Sequence, residues 1–475
     1  MMIMESISIF DMIKIGIGPS SSHTMGPWSA MLLLRKELQE KKLFKKTDKI
    51  IITLYGSLAK TGKGHKTDLA ILCGLVGLDY QNLDETAFEE LVNNAKKLHY
   101  IKTSNKTTLL FDYQNNIIFN FNQILPFHPN GLSANVYSNE KIIYTTSYYS
   151  VGGGFILKEG EKTNIDYRKP SEFPCHDAAE ILNNCNEMGI SIADLVLINE
   201  ETWLPRPIIK ENCTLLWQTM RASIFNGINK SGELPGGLKV QRRASKISKN
   251  LLNQSFKDIE DWILAIKDTP HTFTNINKWI TCFALAVNEE NACMGKIVTA
   301  PTNGAAGVIP AVMLYSYCFL SNMTEEKMIE FLLIAGEIGT LYKKKATISA
   351  AMGGCQAEIG VSSSMAAAGL THILGGTPAQ VLQAAEIAME HHLGLTCDPI
   401  GGLVQIPCIE RNAMGAIKAI TASNIAIESD PKNARVSLDN VIKSMWQTAQ
   451  DMNHKYKETA EGGLASQISV NIAEC

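Results

Sequence analysis

Residues 352–408 decide the character of this chain, and they contain the segments Met352-Gly353-Gly354-Cys355-Gln356-Ala357-Glu358, Gly394-Leu395-Thr396-Cys397-Asp398-Pro399-Ile400-Gly401-Gly402 and Val404-Gln405-Ile406-Pro407-Cys408. The three cysteines form a C-x41-C-x10-C array. Cys355 follows a glycine and Cys408 follows a proline, and both residue types let the backbone turn toward a common point. Three thiolates that converge on one point are typical of a metal cluster.

The bulk composition limits the class of protein. A chain of 475 residues is long enough for two or three domains with buried cores. The net charge of -3, with interspersed signs, argues against a nucleic-acid or anionic-membrane partner. The N-terminal residues lack the pattern of a secretory signal, and apolar stretches such as 311–320 are too short to span a membrane. We therefore expect a cytosolic protein.

The 11 cysteines are odd in number and spread over a long chain, unlike a secreted disulfide framework. Seven are predicted to be small buried hydrophobes, namely Cys73, Cys175, Cys185, Cys213, Cys282, Cys293 and Cys318. The other four are the three cysteines of the array and the C-terminal Cys475.

A run of hydroxyl residues marks the N-terminal part of the chain, where the sequence reads Gly18-Pro19-Ser20-Ser21-Ser22-His23-Thr24-Met25-Gly26-Pro27. The serines can cap a helix predicted from about Pro27 to Glu40. A helix N-terminus fronted by the hydroxyls of Ser21, Ser22 and Thr24 could bind a carboxylate. The alternative is an ordinary capped helix with a solvated His23.

A second glycine-rich turn follows a strand predicted at 49–55, and it reads Gly56-Ser57-Leu58-Ala59-Lys60-Thr61-Gly62-Lys63-Gly64-His65-Lys66-Thr67-Asp68. It is not a phosphate loop, because five residues separate Gly56 from Gly62 and Gly64 stands where a magnesium-binding Ser or Thr is needed. We predict instead a helix that begins near residues 65–67. The helix dipole and Lys66 would then disfavour the charged form of His65, and a neutral imidazole can act as a base.

Residues 1–155 are predicted to form a compact α+β domain. A helix is expected after Asp84, with the apolar stripe Phe88, Leu91, Val92, Ala95 and Leu98. Alternation with a period of two then predicts two hairpins, one pairing 108–113 with 116–121 and one pairing 133–137 with 141–149. The turn between the hairpins, Phe127-His128-Pro129-Asn130-Gly131, presents a third histidine.

Residues 156–175 read as a polar linker, and residues 176–475 as an all-helical domain with a C-terminal tail. Helices are predicted around residues 176–188, 207–229, 259–266, 277–294, 325–343 and 379–393. Two Gly- and Ala-rich turns stand out in this half, at 299–307 and 362–369. A ligand-facing loop explains them, and close helix packing explains the small residues of the second equally well.

The spacing of the cysteine array separates the possible metal sites. Structural zinc is usually held by short paired spacings such as C-x2-C, and none occurs here. A haem would need a C-x-x-C-H motif or an axial ligand in a recognisable setting. An iron–sulfur cluster held by three thiolates leaves one iron open, and an open iron is a Lewis acid. This ligand number favours catalysis over electron transfer.

With these motifs in view, the chain resembles the single-chain, iron–sulfur-type bacterial L-serine dehydratases. The resemblance rests on the Gly18–Pro27 run, the 62–68 turn, His128-Pro129-Asn130-Gly131, Tyr149-Ser150-Val151-Gly152-Gly153-Gly154, Thr302-Asn303-Gly304-Ala305-Ala306-Gly307 and the cysteine array. Lys66 departs from the family pattern, which has a small residue there.

The resemblance implies a [4Fe-4S] cluster on Cys355, Cys397 and Cys408 without redox change, and dehydration of L-serine to pyruvate and ammonia. It implies a first domain similar to the allosteric substrate-binding domain of some phosphoglycerate dehydrogenases, an all-α cluster-binding catalytic domain, and a homodimer. In similar enzymes a terminal cysteine can ligate the fourth iron until serine displaces it. We predict this for Cys475, because the Gly462-Gly463 segment could form a hinge.

The expected site lies between the two domains. We favour His65 as the base that removes the α-proton of serine, with His23 and His128 orienting the substrate. The substrate-binding residues are predicted to be Ser21, Ser22, Thr24, Thr67, Asp68, Asn130, Asn303, Gly304, Ser363 and Ser364. Two alternatives remain: a dehydratase for another hydroxy amino acid, and a non-catalytic serine sensor with structural cysteines. Nothing marks a Schiff-base lysine for pyridoxal phosphate.

Overall fold

The computed structural model describes residues 6–80, 91, 97, 100–102, 108–161 and 169–468. Most of the helix predicted after Asp84 lies outside these residues, and so does Cys475. No helix among the described residues is both long enough and apolar enough to cross a membrane.

The first region is a mixture of helices and strands, as predicted. Its elements are α1 (Ile9–Met12), β1 (Lys14–Ile17), α2 (Gly26–Glu40), β2 (Lys49–Tyr55), α3 (Gly56–Lys60), α4 (Thr67–Val76), β3 (Tyr100–Lys102), β4 (Thr108–Leu110), β5 (Ile117–Asn120), β6 (Gly131–Ser138), β7 (Lys141–Ser150) and β8 (Ile156–Lys158). Alternate residues of β2, namely Ile50, Ile52 and Leu54, are buried in one core with α2 and α4. The alternating pattern therefore predicted β2 correctly, including its bounds.

The sheet is mixed, with the strand order β3-β4-β2-β6-β7-β8, and β5 also pairs with β2. The hairpin predicted over 133–149 is confirmed as β6 and β7. The hairpin predicted over 108–121 is wrong, because β4 and β5 both run parallel to β2 instead of pairing with each other. The Asn116 side chain explains this difference: its amide donates to Ile50 O at 2.7 Å, which anchors the turn between the strands to β2.

The second region is almost entirely helical. Its elements are α5 (Ala178–Met188), α6 (Ile192–Glu201), α7 (Arg206–Ile228), α8 (Ala244–Leu252), α9 (Ile259–Lys267), α10 (Phe273–Ala292), β9 (Lys296–Thr299), α11 (Val308–Phe319), α12 (Glu325–Lys345), α13 (Ala350–Gly353), α14 (Ile359–Ile373), α15 (Pro378–Glu390), α16 (Cys408–Ile427) and α17 (Leu438–Asp451). Each of the six helices predicted from sequence corresponds to one of these elements.

The turn predicted at 362–369 is wrong, because these residues lie inside α14. Small side chains let α14 pack closely against its neighbours. A Cβ atom at Gly369 would lie 2.7 Å from Cδ1 of Phe331 in α12. Helix packing therefore explains the composition of this segment.

The two regions are joined through the N-terminal residues. Strand β1 pairs antiparallel with β9, and the residues of α1 belong to the core of the helical region. The carboxylate of Glu200 in α6 accepts hydrogen bonds from Ser8 Oγ at 2.7 Å and Ile9 N at 2.9 Å. The glycine loop after β7 also meets the helical region, since a Cβ at Gly152 would lie 2.9 Å from Ile348 O. These contacts bring the histidines of one region against the cysteines of the other.

Candidate active site between the two regions

His23 lies in a single π-helical turn, Ser21–Met25, which leads into α2. Ser20 precedes it in an extended conformation, and the Ser20 hydroxyl accepts a hydrogen bond from His23 N at 3.1 Å. The His23 side chain is fully buried, which excludes the alternative of a solvated histidine. Its Nδ1 lies 2.8 Å from Ser22 Oγ, and its Nε2 lies 3.0 Å from Ser57 Oγ. Burial lowers the pKa of His23 well below its ordinary value.

His65 lies in the turn between α3 and α4, and its ring stands 4.5 Å from that of His23. Its Nδ1 is 2.8 Å from the carbonyl oxygen of Thr61. Since a carbonyl only accepts, Nδ1 carries the proton and Nε2 of the neutral ring keeps its lone pair. This Nε2 is buried and has no hydrogen-bond partner among the described residues.

The neutral state of His65 was predicted to arise from the helix dipole and Lys66, but its cause in the structure is burial. Burial lowers the pKa of His65 to about 4, while the hydrogen bond to Thr61 opposes that shift. Lys66, at φ 55°, is the residue that turns the backbone into α4. The two histidines are braced across the site, because Thr24 Oγ1 donates to His65 O at 2.7 Å and Thr67 Oγ1 donates to His23 O at 2.6 Å.

His128 and Asn130 stand together in the turn before β6. The Nδ1 atom of His128 accepts from Asn130 N at 3.1 Å. Burial lowers the pKa of His128 to about 4, with a smaller contribution from Lys343. The amide nitrogen and oxygen of Asn130 are both buried without a hydrogen-bond partner among the described residues, and the Ser150 hydroxyl is in the same state. Unpaired buried polar groups of this kind are costly and are typical of a ligand site.

The three cysteines of the array are buried free thiols. Cys355 follows Gly354, which has φ 71°, while Cys408 is the first residue of α16. The sulfur atoms of Cys355 and Cys397, with a carboxylate oxygen of Glu358, lie within 4.8 Å of one another. The structure thus brings together two cysteines with 41 residues between them, and Cys408 interacts electrostatically with Cys355.

Arg411 is the cationic partner of this array, and sequence reasoning missed it. Its Nη1 donates to Cys355 Sγ at 3.3 Å and to Thr396 O at 2.7 Å, and its Nη2 donates to Asp398 Oδ1 at 2.9 Å. A hydrogen bond with Cys397 lowers the pKa of the Cys355 thiol, and Arg411 lowers it further. The signal was available, because residues three apart on a helix share a face and Arg411 follows Cys408 at that spacing. A buried set of thiols next to a guanidinium fits an iron–sulfur cluster, whose ligands are thiolates.

Two carboxylates that no sequence motif marks also lie in the site, the partly buried Glu358 and the buried Glu458. Glu458 reaches it through the segment after α17, where Cys397 N donates to Tyr456 O at 2.8 Å and Glu458 N donates to Cys397 O at 2.9 Å. The Glu458 Oε1 atom is 3.5 Å from His23 Nδ1 and 3.9 Å from His65 Nε2. Burial raises the pKa of Glu458 well above its ordinary value, and the nearby Glu358 raises it further.

Three of the other predicted binding residues, Ser21, Asn303 and Gly304, lie where the first region meets the helical region. Ser21 Oγ accepts from Asn303 N at 3.5 Å, while the Asn303 side chain accepts from Thr299 Oγ1 and donates to Ile17 O, both at 2.6 Å. Gly304 lies against the Glu358 carboxylate, since a Cβ there would be 2.9 Å from Glu358 Oε2.

Three further predicted residues bond away from the histidines. Asp68 accepts from Lys63 at 3.1 Å and from Tyr113 at 2.6 Å. Ser363 and Ser364 donate to carbonyl oxygens of neighbouring helices. Binding of substrate by any residue of this set stays a prediction.

Comparison with known proteins covers both regions. A family model described as serine dehydratase beta chain matches residues 8–161, and one described as serine dehydratase alpha chain matches residues 187–465. The chain is 44% identical to L-serine dehydratase of Streptomyces coelicolor, over 99% of this chain and 100% of that protein. It is 46% identical to L-serine dehydratase TdcG of Escherichia coli, over 97% and 99% of the two chains. It is 44% identical to L-serine dehydratase of Helicobacter pylori, over 98% and 100%.

Proposed function

The chain belongs to the serine dehydratase family, and on that premise we propose that it is a lyase that converts L-serine into pyruvate and ammonia. The observation that carries the proposal is the buried, unpartnered Nε2 of His65, which lies in the same site as the cysteine array. A base with a free lone pair can remove the weakly acidic α-proton of serine. A thiolate metal site can supply a Lewis acid for hydroxide, which is a poor leaving group, so the two components together serve both ends of the elimination.

The cysteine array would hold the cofactor. A [4Fe-4S] cluster on Cys355, Cys397 and Cys408 would supply a Lewis acid for the hydroxyl and one carboxylate oxygen of serine. The guanidinium of Arg411 supports this assignment, because it stabilises negative charge on Cys355 Sγ. Asp398 in turn holds Arg411 in place through Nη2.

His65 would remove the α-proton. Its tautomer is set by the Thr61 carbonyl, so the lone pair of Nε2 is directed away from the backbone and into the site. Burial keeps the ring neutral at pH 7, and a neutral ring can accept a proton. The proton taken from the α-carbon and the departing hydroxyl together make the water that is lost, so His65 ends the cycle neutral. The aminoacrylate product then hydrolyses to pyruvate and ammonia.

The hydrogen-bond network around His23 suits an orienting role. Ser57 Oγ donates its proton to Glu458 O at 2.8 Å, so it accepts from the Nε2–H of His23. The Nδ1 of His23 is then the acceptor, and Ser22 Oγ donates to it. Each proton in this series of hydrogen bonds therefore has a defined donor and acceptor, which holds the imidazole of His23 in one tautomer beside the base. His128 and the unpartnered amide of Asn130 would orient the substrate from the other side.

The experiment that tests the proposal is anaerobic purification followed by absorption and electron paramagnetic resonance spectroscopy with and without L-serine. We expect iron, sulfide, a cluster spectrum that changes on addition of L-serine, and pyruvate as a product. L-threonine in the same assay separates the related dehydratase. A colourless, iron-free protein that yields no pyruvate would overturn the proposal and would favour the amino-acid sensor.

The finer expectations need tests of their own. If Cys475 is the fourth cluster ligand in the resting state, Cys475→Ala will change the spectrum of the serine-free protein and leave the iron content unchanged. Identical spectra would contradict that role. Regulatory serine binding by the first region and assembly into a homodimer likewise stay predictions, and equilibrium dialysis and analytical ultracentrifugation would test them.

A further inference from the structure

Glu458 combines a buried carboxylate with a left-handed backbone, and both features cost free energy that its own contacts do not offset. The side chain is 6% exposed, and its Oε2 atom has no hydrogen-bond partner among the described residues. The backbone adopts φ 57°, a left-handed conformation that costs a residue other than glycine about 1 kcal/mol or more. Backbone hydrogen bonds with Cys397 and Ser57 fix this conformation. A buried carboxylate oxygen that is so firmly positioned and left unpaired indicates a missing partner.

Among the residues that the structure describes, no permanently charged cation pairs with this carboxylate. Two titratable side chains close to Glu458 are His23 and His65, whose ring nitrogens lie 3.5 and 3.9 Å from Oε1. Those rings present acceptor atoms toward it, because Nδ1 of His23 accepts from Ser22 and Nδ1 of His65 carries the ring proton. No lysine or arginine within the described part of the chain forms an ion pair with Glu458. Within the described part of the chain the position therefore lacks a cation, which a bound ligand can supply.

The substrate of the proposed reaction provides a cation of the right size. The α-carbon of serine carries both the proton that a base must remove and the ammonium group. A base nitrogen in position for attack lies about 3–3.5 Å from its target. The ammonium nitrogen is about 1.5 Å from the same carbon, and it forms charge-assisted hydrogen bonds of about 2.8 Å. A carboxylate with one oxygen 3.9 Å from the base nitrogen can meet that ammonium while the base faces the proton.

We propose that Glu458 binds the α-ammonium group of the amino-acid substrate and selects 2-amino acids over 2-hydroxy acids. The inference rests on the proposed function, and it assigns the substrate class to a residue that no sequence motif marked. Glycerate shares the carboxylate and β-hydroxyl of serine but has a hydroxyl in place of the ammonium. Burial disfavours the charged form of Glu458 in the empty site, and the ammonium group of serine supplies the counter-ion that favours it. Glycerate supplies no such counter-ion, so discrimination arises at this one group.

The other acidic side chains of the site are committed elsewhere. Glu358 has a carboxylate oxygen within 4.8 Å of two cysteine sulfurs, next to the expected cluster. Asp398 accepts from Arg411 and from Leu464 N, and Asp68 accepts from Lys63 and Tyr113. Among the described residues, the carboxylate that has an unpartnered oxygen and also lies beside the base is that of Glu458.

The test compares two ligands on two variants under anaerobic conditions. Dissociation constants for L-serine and L-glycerate are measured by rapid spectroscopic titration on His65→Gln, in which loss of the base slows consumption of L-serine, and on the double variant with Glu458→Gln, with iron content determined for each. We expect L-serine to bind between about 10- and 150-fold more weakly to the double variant, the range for a hydrogen bond to a charged group. Binding of L-glycerate should stay within about threefold. The matched control is Glu461→Gln in the same segment, where the exposed carboxylate pairs with Lys60 and both affinities should be unchanged.

Each result bears on the inference. An equal loss of affinity for both ligands would show that Glu458 has a structural role only. Unchanged affinity for both would show that it does not contact the substrate. Either result overturns the proposal. Selective loss in Glu358→Gln instead would assign the role to that residue. If Glu458→Gln does not fold, Glu458→Asp keeps the charge at a shorter reach and should weaken L-serine alone. Failure of the wild-type protein to form pyruvate, with the selective loss intact, would overturn the proposed function and leave the binding role standing.

Discussion

Two runs of three serines, at 20–22 and 362–364, differ in what their hydroxyl groups contact, although the sequence marks both for ligand binding. All six residues are buried. In the first run, Ser20 and Ser22 bond to the backbone and ring of His23. In the second run, which lies inside α14, the hydroxyls donate to carbonyl oxygens of Ala305, Gly415 and Ala385.

The contrast comes from the backbone and not from the residue types. The first run follows a proline and enters a π-helical turn, which places the Ser20 hydroxyl on His23 N and the Ser22 hydroxyl on the His23 ring. The second run lies within a helix of small residues, where the hydroxyls of Ser363 and Ser364 meet the backbones of adjacent helices and that of Ser362 meets the turn before α11. Hydroxyls bonded to a histidine tune its orientation, whereas hydroxyls bonded to carbonyls hold helices together. The first run should therefore affect turnover, and the second should affect stability.

The largest effect on turnover is expected from His65→Gln, which changes a histidine near the first serine run. Loss of the base should lower kcat by about 10²–10⁴-fold, the usual contribution of a general base, with the iron content unchanged. Pyruvate formation and iron analysis on the same sample measure both quantities. Full turnover with an intact cluster would remove His65 from the role of base.

The matched control is His392→Gln near the second run. His392 is also buried, its Nδ1 also faces a carbonyl four residues earlier at 2.6 Å, and burial also lowers its pKa to about 4. A Cβ at Gly360 in α14 would lie 2.9 Å from His392 Cβ, so this histidine packs against the helix of the second run. We expect His392→Gln to lower the melting temperature and to leave kcat within about threefold of the wild-type value, because a buried polar group in a packing role contributes mainly to folding.

The pH dependence sharpens the comparison further, because the burial of His65 lowers its pKa to about 4. The folded pKa lies below the unfolded value of about 6.5, so this group contributes stability that is complete above pH 6.5 and is lost as the pH falls toward 4. The base also stays mostly neutral at pH values well above 4. At pH 5.5 and saturating L-serine we expect kcat within about twofold of its value at pH 7, where an ordinary histidine base would give a kcat about tenfold lower. Initial rates on protein verified as folded test this, and an inflection near pH 6.5 would contradict it.

Much of the fold could be predicted because apolar periodicity is a local property. The alternation in 49–55 gave β2, and the helical period gave the six helices of the second region. The sequence could not assign β5, because its partner is chosen by a side chain, Asn116, that bonds to the distant Ile50. A turn was predicted for 362–369 because glycine, serine and alanine are typical of both loops and tightly packed helices.

The candidate site could be predicted where a residue type carries its own chemistry. Cysteines and histidines are rare enough for their spacing to be informative, and the structure brings Cys355 to Cys397 and His23 to His65. Glutamate is common on surfaces, so its sequence position does not reveal burial. Glu458 enters the site only because the segment after α17 pairs with the backbone of Cys397. That contact depends on tertiary structure, which no local pattern encodes.

A smaller effect on turnover is expected from Ser22→Ala in the first run. The change removes the hydroxyl that donates to His23 Nδ1 at 2.8 Å and leaves a buried ring nitrogen without its donor. The cost of about 1–2 kcal/mol should appear as a 5- to 30-fold lower kcat/KM. Steady-state kinetics on iron-matched samples measure it. Normal kinetics with only a lower melting temperature would assign Ser22 to the same structural class as the second run.

The smallest effect on turnover is expected from Ser363→Ala in the second run. Its hydroxyl donates to Gly415 O at 2.8 Å, so its removal should cost about 0.5–1.5 kcal/mol of stability and lower the melting temperature by about 1–2 °C. The kcat should stay within about twofold. Ser364→Ala should destabilise more, because Tyr342 OH donates to Ser364 Oγ at 2.9 Å and would lose its buried partner. Thermal unfolding and pyruvate assays on iron-matched samples measure both. A tenfold loss of kcat in Ser363→Ala at full iron content would return this serine to the substrate-binding set and erase the distinction between the two runs.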